Sequence, residues 1–230
     1  MTYFTFIKNF LKFKRTNDGR FPLSWKNRKV CLRDDTETTN FDRHYVYHPA
    51  WAARILAETK PAKHVDISST LHFSTMLSAF IPTEFYDYRP AEIVLSNLQS
   101  KKADLCALPF PDGSIASLSC MHTVEHIGLG RYGDPIDPKA DLKAMRELAR
   151  VIKSGGNFLF VVPIGKPKII WNAHRIYSYK QIIESFPTLT LKEFSLIPEN
   201  PKDGGIIKNA SEEAANNERY GCGCFWFKKL

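Results

Sequence analysis

Three aspartates fall at the ends of short apolar runs: Asp66 in "HVDIS", Asp87 in "TEFYDYR" and Asp104 in "KKADLC". A carboxylate beside a nucleoside can accept both ribose hydroxyls, and another can accept an adenine amino group. Acids at successive strand ends therefore suit an adenosine-type ligand. A fourth such run ends in Cys120, Met121 and His122 and continues as "HTVEHIG", while a further histidine, His174, stands in "NAHRIYS". Histidine titrates near neutrality and can take a proton from an acceptor, so His126 and His174 are catalytic candidates, with Glu125 beside them. His122, Glu125 and His126 lie at i, i+3 and i+4, and with His174 they make a set suited to Zn, Mn or Fe rather than Mg. The same spacing suits residues that brace a pocket floor, and no metal is assigned. The loop "GLGRYGDPIDP" offers Arg131, Tyr132 and Asp134 to a sugar or phosphate, and Asn172 and Arg175 flank His174 on the same side.

Strands and helices must alternate to bring these residues together. "HVDI", "TEFYDYR", "KKADLCALPF", "IASLSCMH", "NFLFVVPI", "LTLKEFSLI" and "YGCGCFWFKK" read as strands. "HPAWAARILAETK", "STMLSAF", "DPKADLKAMRELARVI" and "YKQIIESF" read as helices, the last opened by the capping box "SYKQ". "KSGG" at 153–156 is expected to supply a left-handed glycine cap to the long helix, and residues 199–219 form a polar excursion. This order predicts an α/β, three-layer, Rossmann-like fold with a mostly parallel sheet. The last two strands are joined by a loop, which implies one antiparallel edge strand.

The chain has 230 residues, 43% of them hydrophobic, enough for one well-cored domain and without an apolar run of the ~20 residues a spanning helix needs. The formal charge of +8 is uneven: residues 1–33 carry nine Lys/Arg against Asp18 alone, and the remainder is neutral. Phe6, Ile7, Phe10, Leu11 and Phe13 recur at helical spacing, opposite Lys8, Lys12 and Arg15. The division expected is a basic amphipathic arm, 1–40, and a folded domain, 41–230. Such an arm suits an anionic membrane surface, or its aromatic face a second subunit in a homodimer. The neutral body argues against nucleic acid, whose binding groove would be basic. Lysines threaded through the start of the chain do not read as a secretory signal, and the odd number of unframed cysteines agrees with a reducing compartment. The expected location is the cytoplasm, peripheral to the inner membrane where the arm engages it. Cys222 and Cys224 form a C-x-C pair, read as packing.

The run "ADLCALPFPDGSIASLSCMHTVEHIG…LKAMRELARVIKSGGNFLFVVP" resembles the core of class I S-adenosylmethionine-dependent methyltransferases. "EHIGLGRYGDPIDP" and "NAHRIYS" resemble, more narrowly, a bacterial group with a domain of unknown function, DUF268, over roughly residues 43 to 198. The resemblance implies S-adenosylmethionine as cofactor. It places Asp66 at the acid opening the glycine-rich turn, Asp87 and Tyr88 at the ribose, Asp104 and Leu105 at the adenine, and Met121 and His122 beside the methionine part. Where the family pattern is D-x-G-x-G-x-G, this chain has Ser68, Thr70 and His72 after Asp66. Losing all three glycines is expected to narrow or reshape the turn, with the hydroxyls of Ser68 and Ser69 available to the cofactor. The group's association with polysaccharide synthesis implies O-methylation of a sugar in a bacterial surface glycan or its precursor. The alternatives are a nucleic-acid 2′-O-methyltransferase, suggested by H-x-x-E-H, and a non-catalytic binding module of the same fold, suggested by the missing glycines.

Overall fold

The computed structural model describes residues 1–230, which form two compact units, Met1–Phe41 and Asp42–Leu230. In the first, Thr2 caps helix α1 (Tyr3–Thr16) by accepting from the Thr5 amide, and Lys14 and Arg15 complement its negative end. No residue of α1 is buried. Trp25 covers part of the aromatic face, its ring 4.8 Å from that of Phe10 and 6.1 Å from that of Phe6, while Phe4 and Phe13 remain exposed. No helix is long and apolar enough to cross a membrane.

The second unit is built on an eight-stranded sheet. Strands β1 (His64–Ile67), β2 (Thr83–Asp87), β3 (Leu98–Lys102), β4 (Ile115–Met121) and β5 (Ile152–Ile164) are parallel, in the order β3-β2-β1-β4-β5. Two short strands, β6 (Lys168–Ile170) and β7 (His174–Ile176), form a separate hairpin. Beyond β5 the pairing becomes antiparallel: β10 (Gly221–Lys229) lies between β5 and β8 (Leu189–Ile197), and the two-residue β9 (Ile207–Lys208) finishes that edge. The sheet is thus Rossmann-like and mostly parallel, with its antiparallel pairings confined to one side.

Both faces are apolar, so both must be covered. In β5, Phe158, Phe160 and Val162 enter one core with helices α4 (Ala140–Val151) and α5 (Tyr179–Ser185). Leu159 and Val161 point the other way, into a core with Trp51, Ile55 and Leu56 of α2 (Arg43–Thr59) and Phe73 and Leu77 of α3 (Leu71–Leu77). Cys222 and Cys224 of β10 also enter this second core. The capping box of α5 is present, with Ser178 and Gln181 each bonding the other's backbone.

Several local readings change. Helix α3 begins at Leu71, capped by Thr70, and ends at Leu77 rather than spanning "STMLSAF", and the strand sought in "KKADLCALPF" lies earlier, as β3. Helix α2 begins at Arg43 rather than at His48, because the Asp42 carboxylate accepts from the Tyr45 amide at 3.2 Å and caps it there. "KSGG" does not cap α4, whose last residue, Val151, leads directly into β5. Instead, residues 153–156 loop out of the ladder, which pairs Ile115 with Ile152 and next Ser117 with Asn157. Gly155 takes the positive φ of +76° that this excursion needs. The polar stretch 199–219 contains β9 and a short helix, α6 (Glu212–Asn217).

Candidate active site

Strand order reverses between β1 and β4, and in open parallel sheets ligands bind beyond the carboxyl ends of the strands at that point. The turn leaving β1 holds Ser68 at φ +54°, the left-handed region glycine would occupy. The Ser68 amide and hydroxyl both donate to the Tyr86 carbonyl, at 2.8 and 3.1 Å. The Thr123 hydroxyl donates to the Ser68 carbonyl at 3.0 Å, and the Ser69 hydroxyl accepts from the Met121 amide at 3.1 Å. Thr70 then caps α3. Side-chain hydroxyls thus hold a turn that glycines would merely permit, and the left-handed conformation survives at the first glycine position.

Under this turn lies a buried polar chain. Asp66 accepts from the Ser74 hydroxyl at 2.6 Å and from the Ser119 hydroxyl. The Ser119 oxygen is 2.9 Å from His64 Nε2, and His64 Nδ1 is 2.8 Å from the Ser117 hydroxyl. With Ser119 donating to Asp66, His64 donates through Nε2 and accepts through Nδ1. Burial pushes Asp66 up to about 6 against the pull of its hydroxyl donors, and pushes His64 down to about 3.

A cavity of about 430 Å3 opens at this point, within the usual range of ~300–1,000 Å3 for small-molecule sites. Asp87, Tyr88, Asp104 and Leu105 line it together with Ser68, His122, Thr123 and His126. Asp87 accepts from the Arg89 amide at 2.7 Å and Asp104 from the Cys106 amide at 2.8 Å, in each case through Oδ1. Each keeps its second oxygen for another donor. Ala103, Ile127 and Ala140 add apolar surface. Over the rim, the guanidinium groups of Arg89 and Arg131 lie 4.8 and 5.0 Å from the Tyr132 ring. A larger groove between α2 and α3 is almost wholly apolar and offers no comparable chemistry.

The histidines are held in defined states. His126 Nδ1 donates to the Ala173 carbonyl at 2.5 Å, which leaves Nε2 as the proton-accepting atom. Behind it, Glu125 is fully buried, with Oε1 2.8 Å from His122 Nδ1 and 3.8 Å from His126 Nε2. Burial raises the Glu125 carboxyl to about 7, against the histidines and Arg131 nearby, and lowers His122 to about 3. His174 is half-buried on the hairpin, its pKa lowered by burial, and its ring lies 5.0 Å from that of Tyr220.

Of the residues singled out from sequence, Ser68, Asp87, Tyr88, Asp104, Leu105, His122, His126, Tyr132 and Asp134 line the cavity. The others do not, for identifiable reasons. Asp66 and Ser69 are buried beneath or within the turn and hold its shape. Met121 alternates away into the α2–α3 core. Glu125 stands behind the two histidines and positions them. Arg175 is not a rim residue: it is buried, donates to the Ile127 carbonyl at 2.7 Å, and pairs with Asp141 at 3.5 Å. Asn172 sits exposed at the hairpin turn with φ +56°. Arg131 donates to the Ala173 carbonyl at 3.2 Å, beside His126. Asp134 is engaged by its own loop, accepting from the amides of Gly128, Gly130 and Tyr132. Burial opposes its ionisation, but these amides outweigh it and hold the carboxyl below its ordinary value.

His122, Glu125, His126 and His174 are already engaged otherwise than as one ligand set: Glu125 takes Nδ1 of His122, and the Ala173 carbonyl takes Nδ1 of His126. Sequence reading missed the part played by His44, Tyr45 and His48 of α2 and Cys222 of β10, which surround His122, and by Tyr220, whose ring faces His44 and His174. The available signal was the i, i+4 pair His44 and His48 on the stripe that continues as Trp51, Ala52 and Ile55.

A sequence profile of the family described as "Caenorhabditis protein of unknown function, DUF268" matches residues 112–194, the span from the turn before β4 into β8. That description does not extend to a bacterial setting. No curated protein matches the sequence. Among solved structures, the chain is similar to the YcgJ protein of Bacillus subtilis, with 18% identity and a TM-score of 0.52 over 79% of this chain and 99% of that one. An S-adenosylmethionine-dependent methyltransferase from Thermotoga maritima aligns at 15% identity and a TM-score of 0.53, over 81% of this chain and 89% of that one. The geranyl diphosphate C-methyltransferase of Streptomyces coelicolor A3(2), solved with S-adenosylhomocysteine, aligns at 11% identity and a TM-score of 0.52 over 79% of each chain. The chain has the Rossmann-like fold of the S-adenosylmethionine-dependent methyltransferases.

Proposed function

We propose that this protein is an S-adenosylmethionine-dependent methyltransferase that acts on a hydroxyl of a sugar-bearing acceptor. The observation that carries this reading is that Asp87, Asp104 and the left-handed Ser68 turn all line one cavity at the switch point of the sheet. Two carboxylates, each with an oxygen left over, match the ribose hydroxyls and the adenine amino group. The Ser68 turn and His122 would hold the methionine portion, and Leu105, Ile127 and Ala140 the flat base. Bound there, the cofactor supplies a methyl group on a positively charged sulfur.

The chain's own contribution is orientation and proton removal. Donation by His126 Nδ1 to Ala173 fixes the ring so that Nε2 can take the acceptor's hydroxyl proton. Arg89, Arg131 and Tyr132 form a planar, cationic rim that suits a sugar or its phosphate. The basic arm, with Phe4 and Phe13 exposed, supports an acceptor presented at an anionic membrane surface, such as a lipid-linked glycan precursor.

Calorimetric titration with S-adenosylhomocysteine, beside an Asp87→Ala variant, tests this reading without a known acceptor. Micromolar binding that is lost in the variant is expected. Absence of binding at millimolar ligand would replace the enzyme reading with a binding module of the same fold.

A further inference from the structure

Next to the cavity, three elements far apart in sequence deliver metal-binding side chains to one point. Helix α2 brings His44, the turn after β4 brings His122, and β10 brings Cys222. All three are buried, and their ligand atoms lie within 4.8 Å of one another. Buried imidazoles and a thiol seldom gather this way for packing alone, since each carries polar atoms that need partners.

The details fit a metal centre. His122 Nδ1 lies 2.8 Å from Glu125 Oε1; with Glu125 ionised Nδ1 donates to it and Nε2 carries the lone pair, 3.4 Å from Cys222 Sγ. Tetrahedral zinc, with Zn–N of about 2.0 Å and Zn–S of about 2.3 Å, holds such a pair about 3.5 Å apart. A carboxylate on the far nitrogen of a ligating histidine is the usual means of fixing its tautomer and orientation. The Tyr220 ring stacks on that of His44, with centroids 4.8 Å apart. His122 adopts φ +55°, an uncommon conformation for histidine, which turns its side chain into the group. Beside it His48 is fully buried, with Nδ1 spent on the His44 carbonyl and Nε2 left without any hydrogen-bond partner. A water held by a metal would satisfy that atom.

We infer that His44, His122 and Cys222 form a zinc site with an open fourth position. Two imidazoles and one thiolate are borderline-soft donors that select zinc over magnesium or calcium. Three protein ligands with an exchangeable fourth is the pattern of reactive rather than purely structural zinc. His122 also lines the cavity, so the open position is available to water or to an oxygen- or sulfur-bearing acceptor. The site shares His122 with the proposed cofactor cavity, but neither Asp87 nor Asp104 belongs to it, so zinc binding and S-adenosylhomocysteine binding are read separately.

The test is metal analysis of the full chain, followed by chelation and titration with Co(II). About one zinc per chain is expected, and Co(II) should give the intense visible spectrum of a four-coordinate ion with a thiolate-to-cobalt charge-transfer band. His44→Ala and Cys222→Ser should each lower retained zinc at least tenfold, whereas His174→Ala and Cys31→Ser should keep it. Circular dichroism reports whether each variant folds; should Cys222→Ser fail to fold, the charge-transfer band of the wild-type chain decides. A wild-type chain that takes up neither ion, or a cobalt spectrum without the thiolate band, would overturn the assignment. S-adenosylhomocysteine binding to the chelated protein is measured in parallel, so loss of one result leaves the other intact.

Discussion

Ser68 is tied to Tyr86 twice, its amide and its hydroxyl both donating to the same carbonyl. That double link explains how a turn without glycine keeps a left-handed residue facing the cavity. Ser68→Gly should therefore leave S-adenosylhomocysteine affinity within a few-fold. Ser68→Val, which loses the hydroxyl and places a branched side chain at positive φ at a cost of about 1–2 kcal/mol, should weaken it roughly tenfold. Calorimetry on both variants checks this, and equal losses would mean that the hydroxyl itself contacts ligand.

His126 is the one histidine that both lines the cavity and has Nδ1 pinned to a backbone carbonyl. Once an acceptor is found, His126→Ala should lower kcat by about 10²–10⁴-fold with cofactor affinity unchanged. A fall in cofactor affinity without an effect on kcat would assign His126 to binding.

Arg175 was a plausible rim residue in the sequence, yet it lies buried against Asp141 and two backbone carbonyls. Arg175→Met should destabilise the domain by about 3 kcal/mol, read from urea denaturation, because Asp141 is left without its cation. An unchanged midpoint with a raised KM for the acceptor would restore Arg175 to the substrate side.

The chain His64–Ser119–Asp66 makes stability depend on pH in two opposed ways. His64 is lowered to about 3 in the fold, so the unfolded chain binds its proton more readily, and this contribution is lost as pH falls from about 6.5. Asp66 is raised to about 6, so its contribution is present at low pH and lost as pH rises from about 4 to 6. Measured against wild type, His64→Gln should gain stability as pH drops from 6.5 to 4, and Asp66→Asn should gain as pH rises over 4 to 6. A pH-independent offset in either variant would show that its group does not titrate differently on folding.

The acids that line the cavity were legible because an aspartate at or just beyond a strand end is a local pattern: Asp87 closes β2, and Asp104 stands two residues past β3. The exact limits of "HVDI", "LTLKEFSLI" and the capping box at Ser178 were legible for the same reason. Residues that act through long-range pairing were not. Cys222 meets His122 only because β10 inserts beside β5, and no local signal marks that. His44 and Tyr45 sit in "FDRHYVYHP", whose polarity and proline conceal a first helical turn that Asp42 caps. Arg175 and Glu125 read toward the acceptor through their neighbours His174 and His126, yet both are buried, Arg175 received by backbone carbonyls and Asp141 and Glu125 facing His122. "KSGG" has the composition of a helix cap but serves a bulge, a choice made by the register between β4 and β5.

The position of β10 bears on how the molecule is assembled. It is the last strand of the sheet along the chain, yet it lies inside it, clamped between β5 and β8. In the folded sheet β8 and β9 reach β5 only through β10, which pairs with β5 on one side and β8 on the other. The continuity of the sheet therefore rests on β10, and pairing of this non-local kind slows folding and leaves strand edges open to wrong partners until it forms. The same pairing carries Cys222 up to His122 and His44, so the maturation of that cluster and the completion of the sheet are a single step.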